Sequence, residues 1–169
     1  VAQSRTHLED LQKLGCTPVD VSNFCSILPE TNQNKGIHTI LVNKKTERDD
    51  FIFYFDRMAD KLITLALETV FEIPSASKPI TVTTPQNVQF DGVSTHFDQV
   101  SAVTIVRGGE CMETALKAII PDIKLGRLLI QSDSHTGEPR LHTQKLQSFT
   151  AESKVLLVDT QVLSGAAAV

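Results

Sequence analysis

The sequence predicts an α/β fold built around a parallel sheet. Three observations carry that prediction: one long stretch with apolar residues at helical spacing, several short aliphatic runs bounded by small or polar residues, and the alternation of the two patterns along the chain. From Val100 onward the order is strand, helix, strand, excursion, strand, which is the order that feeds parallel pairing.

Residues 3–14 read as a short polar helix ended by Gly15, and Cys16–Asn34, rich in Pro, Asn, Ser and Thr, as a connector. The first core element is a helix capped by Thr46, with Asp49 three residues on and Asp50 in the first turn against the positive end. Phe51, Phe55, Met58, Leu62, Leu65 or Ala66, and Val70 then recur at helical spacing, and Pro74 closes the element. Arg48 and Arg57 lie about two and a half turns apart on it, on roughly opposite faces, so they do not share one ligand simply. A solvated face is the expectation for Arg57.

The alternation in Ile80-Thr81-Val82-Thr83-Thr84 predicts a strand, and Val100–Val106 a second one. A helix follows from about Glu110 to Ile120, then a strand around Leu128–Gln131 and a turn at Thr136–Pro139. Polar residues 132–145 interrupt the alternation without a helical period. The last strand, Val155–Val158, is a continuous aliphatic run, which places it in the middle of the parallel sheet with both faces covered.

The length of 169 residues suits one domain, and 41% apolar with 21% charged residues suits a globular core. A net charge of −4 and a pI near 5.7 argue against a nucleic-acid surface, and no Lys/Arg cluster suggests a membrane patch. A small anionic ligand, which needs only a local site, remains compatible. Cys16, Cys25 and Cys111 show neither metal spacing nor an even framework, so they read as free thiols in a reducing, cytoplasmic setting. No stretch approaches the ~20 apolar residues that span a bilayer. His7, His38, His96, His135 and His142 form no pair at metal-ligand spacing, so no metal site is expected, and a G-x-x-x-x-G-K-[ST] phosphate loop is absent. With Val1 at its start and Val169 inside the expected first turn of a helix, the sequence reads as a piece of a longer protein.

Two segments carry chemistry. In Lys154–Val169 an aliphatic strand ends on Asp159 and runs into Ser164-Gly165-Ala166-Ala167, whose small side chains leave backbone N–H groups open to a phosphate. Asp159 can then accept hydrogen bonds from ribose hydroxyls. The same pattern is compatible with a buried strand that ends in an acidic turn before an Ala-rich helix. In Arg107-Gly108-Gly109 two glycines follow a buried strand and precede a helix, a place able to hold a diphosphate, with Arg107 as its bidentate, permanently charged partner. The alternative there is a Gly-rich turn whose arginine pairs with a neighbouring acid.

The Lys154–Val169 run resembles the phosphoribosyl pyrophosphate (PRPP) loop of type I phosphoribosyltransferases, specifically the uracil phosphoribosyltransferase branch. Four upstream blocks agree in order and spacing: Thr46 to Met58, Thr83-Thr84-Pro85, Ile105 to Met112, and Gly126 to Gln131. Pro29 to Ile40 and Thr136-Gly137-Glu138-Pro139 further resemble uridine-cytidine kinases that carry such a domain after the kinase. The resemblance implies a type I phosphoribosyltransferase-like fold, truncated at its C-terminus, with an N-terminal helical or irregular extension. It implies residues 1–42 as the tail of a kinase domain and connector, and residues 43–169 as the uracil phosphoribosyltransferase-like domain. Residues 132–145 would form a projecting β-hairpin.

The implied chemistry is transfer of a phosphoribosyl group to uracil, giving UMP and pyrophosphate, with the base itself as nucleophile. Asp159 would be the catalytic carboxylate, with PRPP held by Arg107, Gly108, Gly109, Ser164, Gly165, Ala166 and Ala167; Thr160 and Lys145 are secondary candidates. Magnesium would arrive on the substrate's phosphates, the partners would be PRPP and uracil, UMP or another nucleotide, and the full protein would be a homo-oligomer. The sequence departs from the family in three places. Thr160-Gln161 replaces a Pro-Met pair, Ser-Gly-Ala-Ala replaces Thr-Gly-Gly-Ser, and Ser132 stands where the active enzymes tend to carry an arginine. Two contacts weakened by about 1.5 to 3 kcal/mol each would lower PRPP affinity by roughly two decades or more. A non-catalytic module that senses a nucleotide or assembles the kinase is therefore the second expectation, and a domain that only dimerises the third.

Overall fold

The computed structural model describes residues 25–72, 77–95, 97–133, 136, 138–162, 165 and 168. The helix expected over residues 3–14 and the helix-closing Pro74 lie outside them. The first described element is a helix that the sequence pattern does not announce, α1 (Asn32–Val42). Its Asn, Gly and Thr residues are weak helix formers. Local bonds and one buried side chain hold it instead: the Thr31 hydroxyl accepts from the Asn34 N–H at 3.2 Å, Asn34 Nδ2 donates to the Pro29 carbonyl at 2.9 Å, and Ile37 is 2% exposed.

The long helix, α2 (Arg48–Phe71), packs against α1. Thr46 does not cap it. The N-cap is Glu47, without a side-chain bond, and the Thr46 hydroxyl donates to the Ile40 carbonyl at 2.6 Å, tying the end of α1 to the start of α2. The buried face is also rotated from the expected one: Ala59, Ile63 and Leu67 are buried, whereas Phe51 and Leu62 are each 43% exposed. Apolar residues occur around most of this helix, Ile52 and Phe53 among them, so spacing alone does not select a face. Packing does: Ala59, Ile63 and Leu67 join the single buried core cluster.

Strands β1 (Ser77–Thr83) and β2 (Gln89–Thr95) form a separate antiparallel pair. The Thr84 N–H donates to the Val88 carbonyl at 2.9 Å across the turn, and Asn87 takes φ +60°, a conformation that asparagine tolerates.

The main sheet contains β3 (Val100–Val106), β4 (Lys124–Ser132), β5 (Pro139–Lys145) and β6 (Lys154–Val158) in the spatial order β5-β4-β3-β6. β3 is parallel to both neighbours, and β5 runs antiparallel to β4. The expected excursion is thus a β4–β5 hairpin, with a register shift between Leu129 and Ile130. A 3₁₀ turn over Gly108–Met112 leads into α3 (Glu113–Ile119), so the helix expected from Glu110 becomes α-helical only at Glu113.

The central strand is β3, buried from Val100 to Ile105, and not β6 as its aliphatic run suggested. β6 is an edge strand among the described residues; Leu156 and Val158 face the core, while Val155 and Leu157 are 46% and 48% exposed. A short apolar run cannot by itself separate a central strand from an edge strand. Helices α2 and α3 cover one face of the sheet, where Ile63, Ala102, Leu116 and Val158 share a single core cluster. Among the described residues no helix is long and apolar enough to cross a membrane.

The connections define the one special place in this sheet. From β3 the chain crosses through α3 to β4 on one side, then returns as β6 on the other side of β3. Strand order therefore reverses between β3 and β6, and a crevice opens beyond their C-terminal ends, where open α/β sheets bind ligands. The rotated face of α2 yields a direct expectation: Ile63→Ala lowers stability by about 2–5 kcal/mol, whereas Leu62→Ala costs under about 1 kcal/mol, as read from urea unfolding midpoints.

Candidate functional site

Thr104 of β3 pairs with Val158 of β6, so the residues that leave the two strands emerge side by side. Arg107, Gly108 and Gly109 come from one strand, and Asp159 and Thr160 from the other. Their approach is close enough that side chains are excluded. A Cβ on Gly108 would lie 2.6 Å from Asp159 Oδ1 and 2.9 Å from Thr160 Oγ1. On Gly109 it would run into the Val158 carbonyl oxygen and lie 3.2 Å from Thr104 Cβ. Gly109 is thus required by space, whereas at Gly108 the side chains of Asp159 and Thr160 would have to swing aside.

Arg107 is exposed at the head of the turn, after a cis Val106–Arg107 peptide, and no ion pair engages it among the described residues. The alternative in which this arginine neutralises a nearby acid is not what the structure shows. Asp159 is half-buried, and its Oδ1 accepts from the Thr160 N–H at 2.7 Å. Gly165 has φ +80° with open space around its Cα, the left-handed geometry that favours glycine. Ser164, Ala166 and Ala167 lie outside the described residues. Lys145 is not brought to this place: it ends the far edge strand β5, exposed, beside Arg127 and level with Thr104.

Two pockets lie beside the crevice, along α2. One, about 210 Å³, is lined by Ile63, Met112 and Leu156 and reaches Asp159. The other, about 540 Å³, lies among Phe51, Phe55, Asp56, Cys111, Thr114 and Thr160. Cys111 reaches solvent, yet its Sγ donates to the Gly108 carbonyl at 2.9 Å. Partial desolvation there, with the charges of Asp56 and Asp159 and against the opposing effect of a backbone hydrogen bond, pushes the thiol above its ordinary value of 9.0.

Beneath the turn lies a charge network that reading the sequence did not identify. Glu113, buried at the start of α3, accepts from Arg127 Nε at 2.9 Å and Nη2 at 2.8 Å, and from the Thr104 hydroxyl at 3.2 Å. Arg127 Nη1 also lies 3.6 Å from Glu110 Oε1. The signal was present: Glu113 shares a helical face with Leu116 and Ile120, and Arg127 alternates with the core-facing Leu125 on β4. An acid and a base each occupying an apolar face make a complementary pair. The bidentate Arg127 bond, more than the opposing desolvation, holds the Glu113 carboxyl below its ordinary value of 4.5.

Comparison with known proteins agrees with this geometry. The family model described as uracil phosphoribosyltransferase matches residues 28–169. The chain belongs to the uracil phosphoribosyltransferase family. It is 44% identical to the uridine kinase of Saccharomyces cerevisiae over 98% of this chain and 33% of that protein. It is 41% identical to mouse uridine-cytidine kinase-like 1 over 85% of this chain and 25% of that protein. Against the uracil phosphoribosyltransferase of Lachancea kluyveri it is 38% identical over 85% of this chain and 63% of that protein. The chain thus spans between a quarter and just under two thirds of these relatives. A solved structure of an Aquifex aeolicus protein shares the fold, with a TM-score of 0.67 at 16% identity over 85% of this chain and 65% of that one.

Two expectations follow for this uracil phosphoribosyltransferase-family domain. Gly109→Ala forces β3 and β6 apart and lowers stability by about 1–3 kcal/mol, measured by chemical unfolding against the wild type. The second concerns pH. The folded state holds the Glu113 carboxyl below 4.5, so the unfolded chain takes up the proton first. Its contribution is complete at neutral pH and is lost as pH falls from 4.5 through the lower folded-state value. Urea midpoints of the wild type and Glu113→Gln, compared from neutral to acid pH, therefore converge as the solution becomes acidic.

Proposed function

We propose that this domain binds PRPP, or a nucleotide carrying the same ribose and phosphate groups, at the crevice between β3 and β6, and that it serves pyrimidine salvage within a uridine kinase-like protein. The observation that carries the reading is the close packing of Gly108 and Gly109 on Val158–Thr160, which joins an arginine-bearing glycine turn to a carboxylate-bearing loop at the point where strand order reverses. Arg107 and the turn's amide groups supply positive charge for the diphosphate. Asp159 offers an acceptor for ribose hydroxyls, and the loop through Ser164, Gly165, Ala166 and Ala167 takes the 5-phosphate. Thr160 borders this place.

In this reading residues 1–42 belong to the end of the kinase part and its connector, and residues 43–169 to the phosphoribosyltransferase-like domain. Uracil bound beside the sugar attacks its anomeric carbon as pyrophosphate departs, and Arg107 offsets the charge that builds on the leaving group. Magnesium travels on the ligand's phosphates, screening their charge; among the described residues no group of three or more His, Cys, Asp or Glu gathers as a metal site. The full protein works in the cytoplasm as a homo-oligomer.

A second reading, a nucleotide sensor or assembly module without turnover, is favoured by Ala166 and Ser132, which stand where the family carries a glycine and an arginine. One experiment separates the two. Magnesium-PRPP is titrated calorimetrically into the full-length protein with uracil present, and UMP is assayed in the same cell. UMP formation supports the transferase, binding without UMP supports the sensor, and absence of binding overturns both of these and leaves assembly as the domain's role. In the same assay Asp159→Asn abolishes PRPP binding while the unfolding midpoint stays unchanged; unaltered affinity would remove Asp159 from the site.

A further inference from the structure

The turn over Gly108–Met112 is held from two sides. On one side Gly108 and Gly109 lie against Val158–Thr160. On the other, a single guanidinium spans the end of the turn: Arg127 reaches Glu110 on the turn and Glu113 just after it. The Glu113 backbone N–H closes on the Glu110 carbonyl, so main chain and side chains fix the same short segment.

Packing does not explain this arrangement. Glu113 occupies a core-facing position, its side chain 10% exposed, where an apolar residue would avoid desolvating a carboxylate. The surrounding core is complete in Ala115, Leu116 and Ala102, each 2% exposed or less. Arg127 is set back from the crevice and engaged elsewhere. It pairs with Thr104, below Val106 where the turn begins, and its guanidinium is committed to Glu113 through two bonds. What the network controls is where the turn sits above it.

We infer that Glu113 and Arg127 are positioning residues for diphosphate, holding the Arg107–Gly109 turn so that its amide groups and Arg107 converge on the leaving group's oxygens. This rests on the reading of that turn as the diphosphate seat. Neither residue touches the ligand. Their effect is selective, because the network lies under the β3 turn, while the sugar and its 5-phosphate depend on the loop that leaves β6.

The test uses the full-length protein with three titrants: magnesium-PRPP, magnesium-diphosphate and ribose 5-phosphate. In Glu113→Gln and in Arg127→Lys, affinity for PRPP and for diphosphate falls about tenfold, the size of one misaligned charged hydrogen bond, while ribose 5-phosphate binds as in the wild type. The double variant loses no more than the weaker-binding single, since both act through one contact. Equal losses for all three titrants would reduce the pair to a structural role, and undiminished diphosphate affinity would overturn the inference outright. Should Glu113→Gln fail to fold, Arg127→Lys, which keeps the charge on a half-exposed side chain, carries the test. A wild type that binds none of the three overturns the PRPP reading itself, a result distinct from variants that match a binding wild type.

Discussion

The close approach of two loop backbones governs this domain. Gly109 lies so near the Val158 carbonyl that no Cβ fits there, and Gly108 lies directly against the side chains of Asp159 and Thr160. That single constraint fixes the separation of β3 and β6 at their C-terminal ends, and with it the mouth of the crevice. It also explains why the carboxylate and the arginine, 52 positions apart in Arg107 and Asp159, become neighbours: parallel pairing brings Thr104 beside Val158, and each chain then turns over the same edge. Core packing supplies the support, since Val158, Ala102 and Leu116 belong to one cluster under the crevice.

The Glu113–Arg127 pair acts on the same turn from below, through different physics. A surface ion pair contributes little, because water solvates both partners well. Here the carboxylate is buried and the guanidinium half-exposed, so the carboxylate needs its partner while the arginine keeps part of its hydration. The result is directional. The pair adds modest net stability, yet it strongly disfavours arrangements of the turn that would leave Glu113 unpaired, and a short turn with two glycines has many such arrangements to suppress.

Much of this was legible in the sequence, for identifiable reasons. β3 and the strand–turn–helix around Arg107-Gly108-Gly109 could be read because a run of branched aliphatics followed by glycines has few structural meanings. The crevice carboxylate was legible for the same reason in β6, although that strand's edge position was not: four aliphatic residues look alike whether one face or two are covered. The face of α2 was misjudged because Phe51 and Leu62 fit the helical period as well as Ala59 and Ile63, and only the sheet decides between them. Helix α1 left no periodic trace, since it depends on Thr31, Asn34 and Thr46 acting through hydrogen bonds. The Glu113–Arg127 pair escaped notice because its partners lie on different elements, 14 residues apart, and only the β3–β4 register brings them together.

The charges around the crevice also limit what it can hold. Asp159 and Asp56 both lie close enough to act on Cys111, so the site carries acidic charge as well as the exposed Arg107. Two unit charges at ~4 Å interact by about 4 kcal/mol at the effective dielectric of a protein surface, so the attraction of Arg107 and the repulsion of a carboxylate are comparable for a bare anion. Charge alone therefore does not draw a polyanion into this crevice. On the proposed reading, a ligand gains most by setting its phosphates against the glycine amides and Arg107 while turning hydroxyl donors toward Asp159. A sugar that carries phosphate at one end and hydroxyls beside it satisfies both halves at once, whereas inorganic phosphate satisfies only one. On the proposed reading, the shape of the charge distribution, more than its sum, thus favours a phosphorylated ribose over a simple anion.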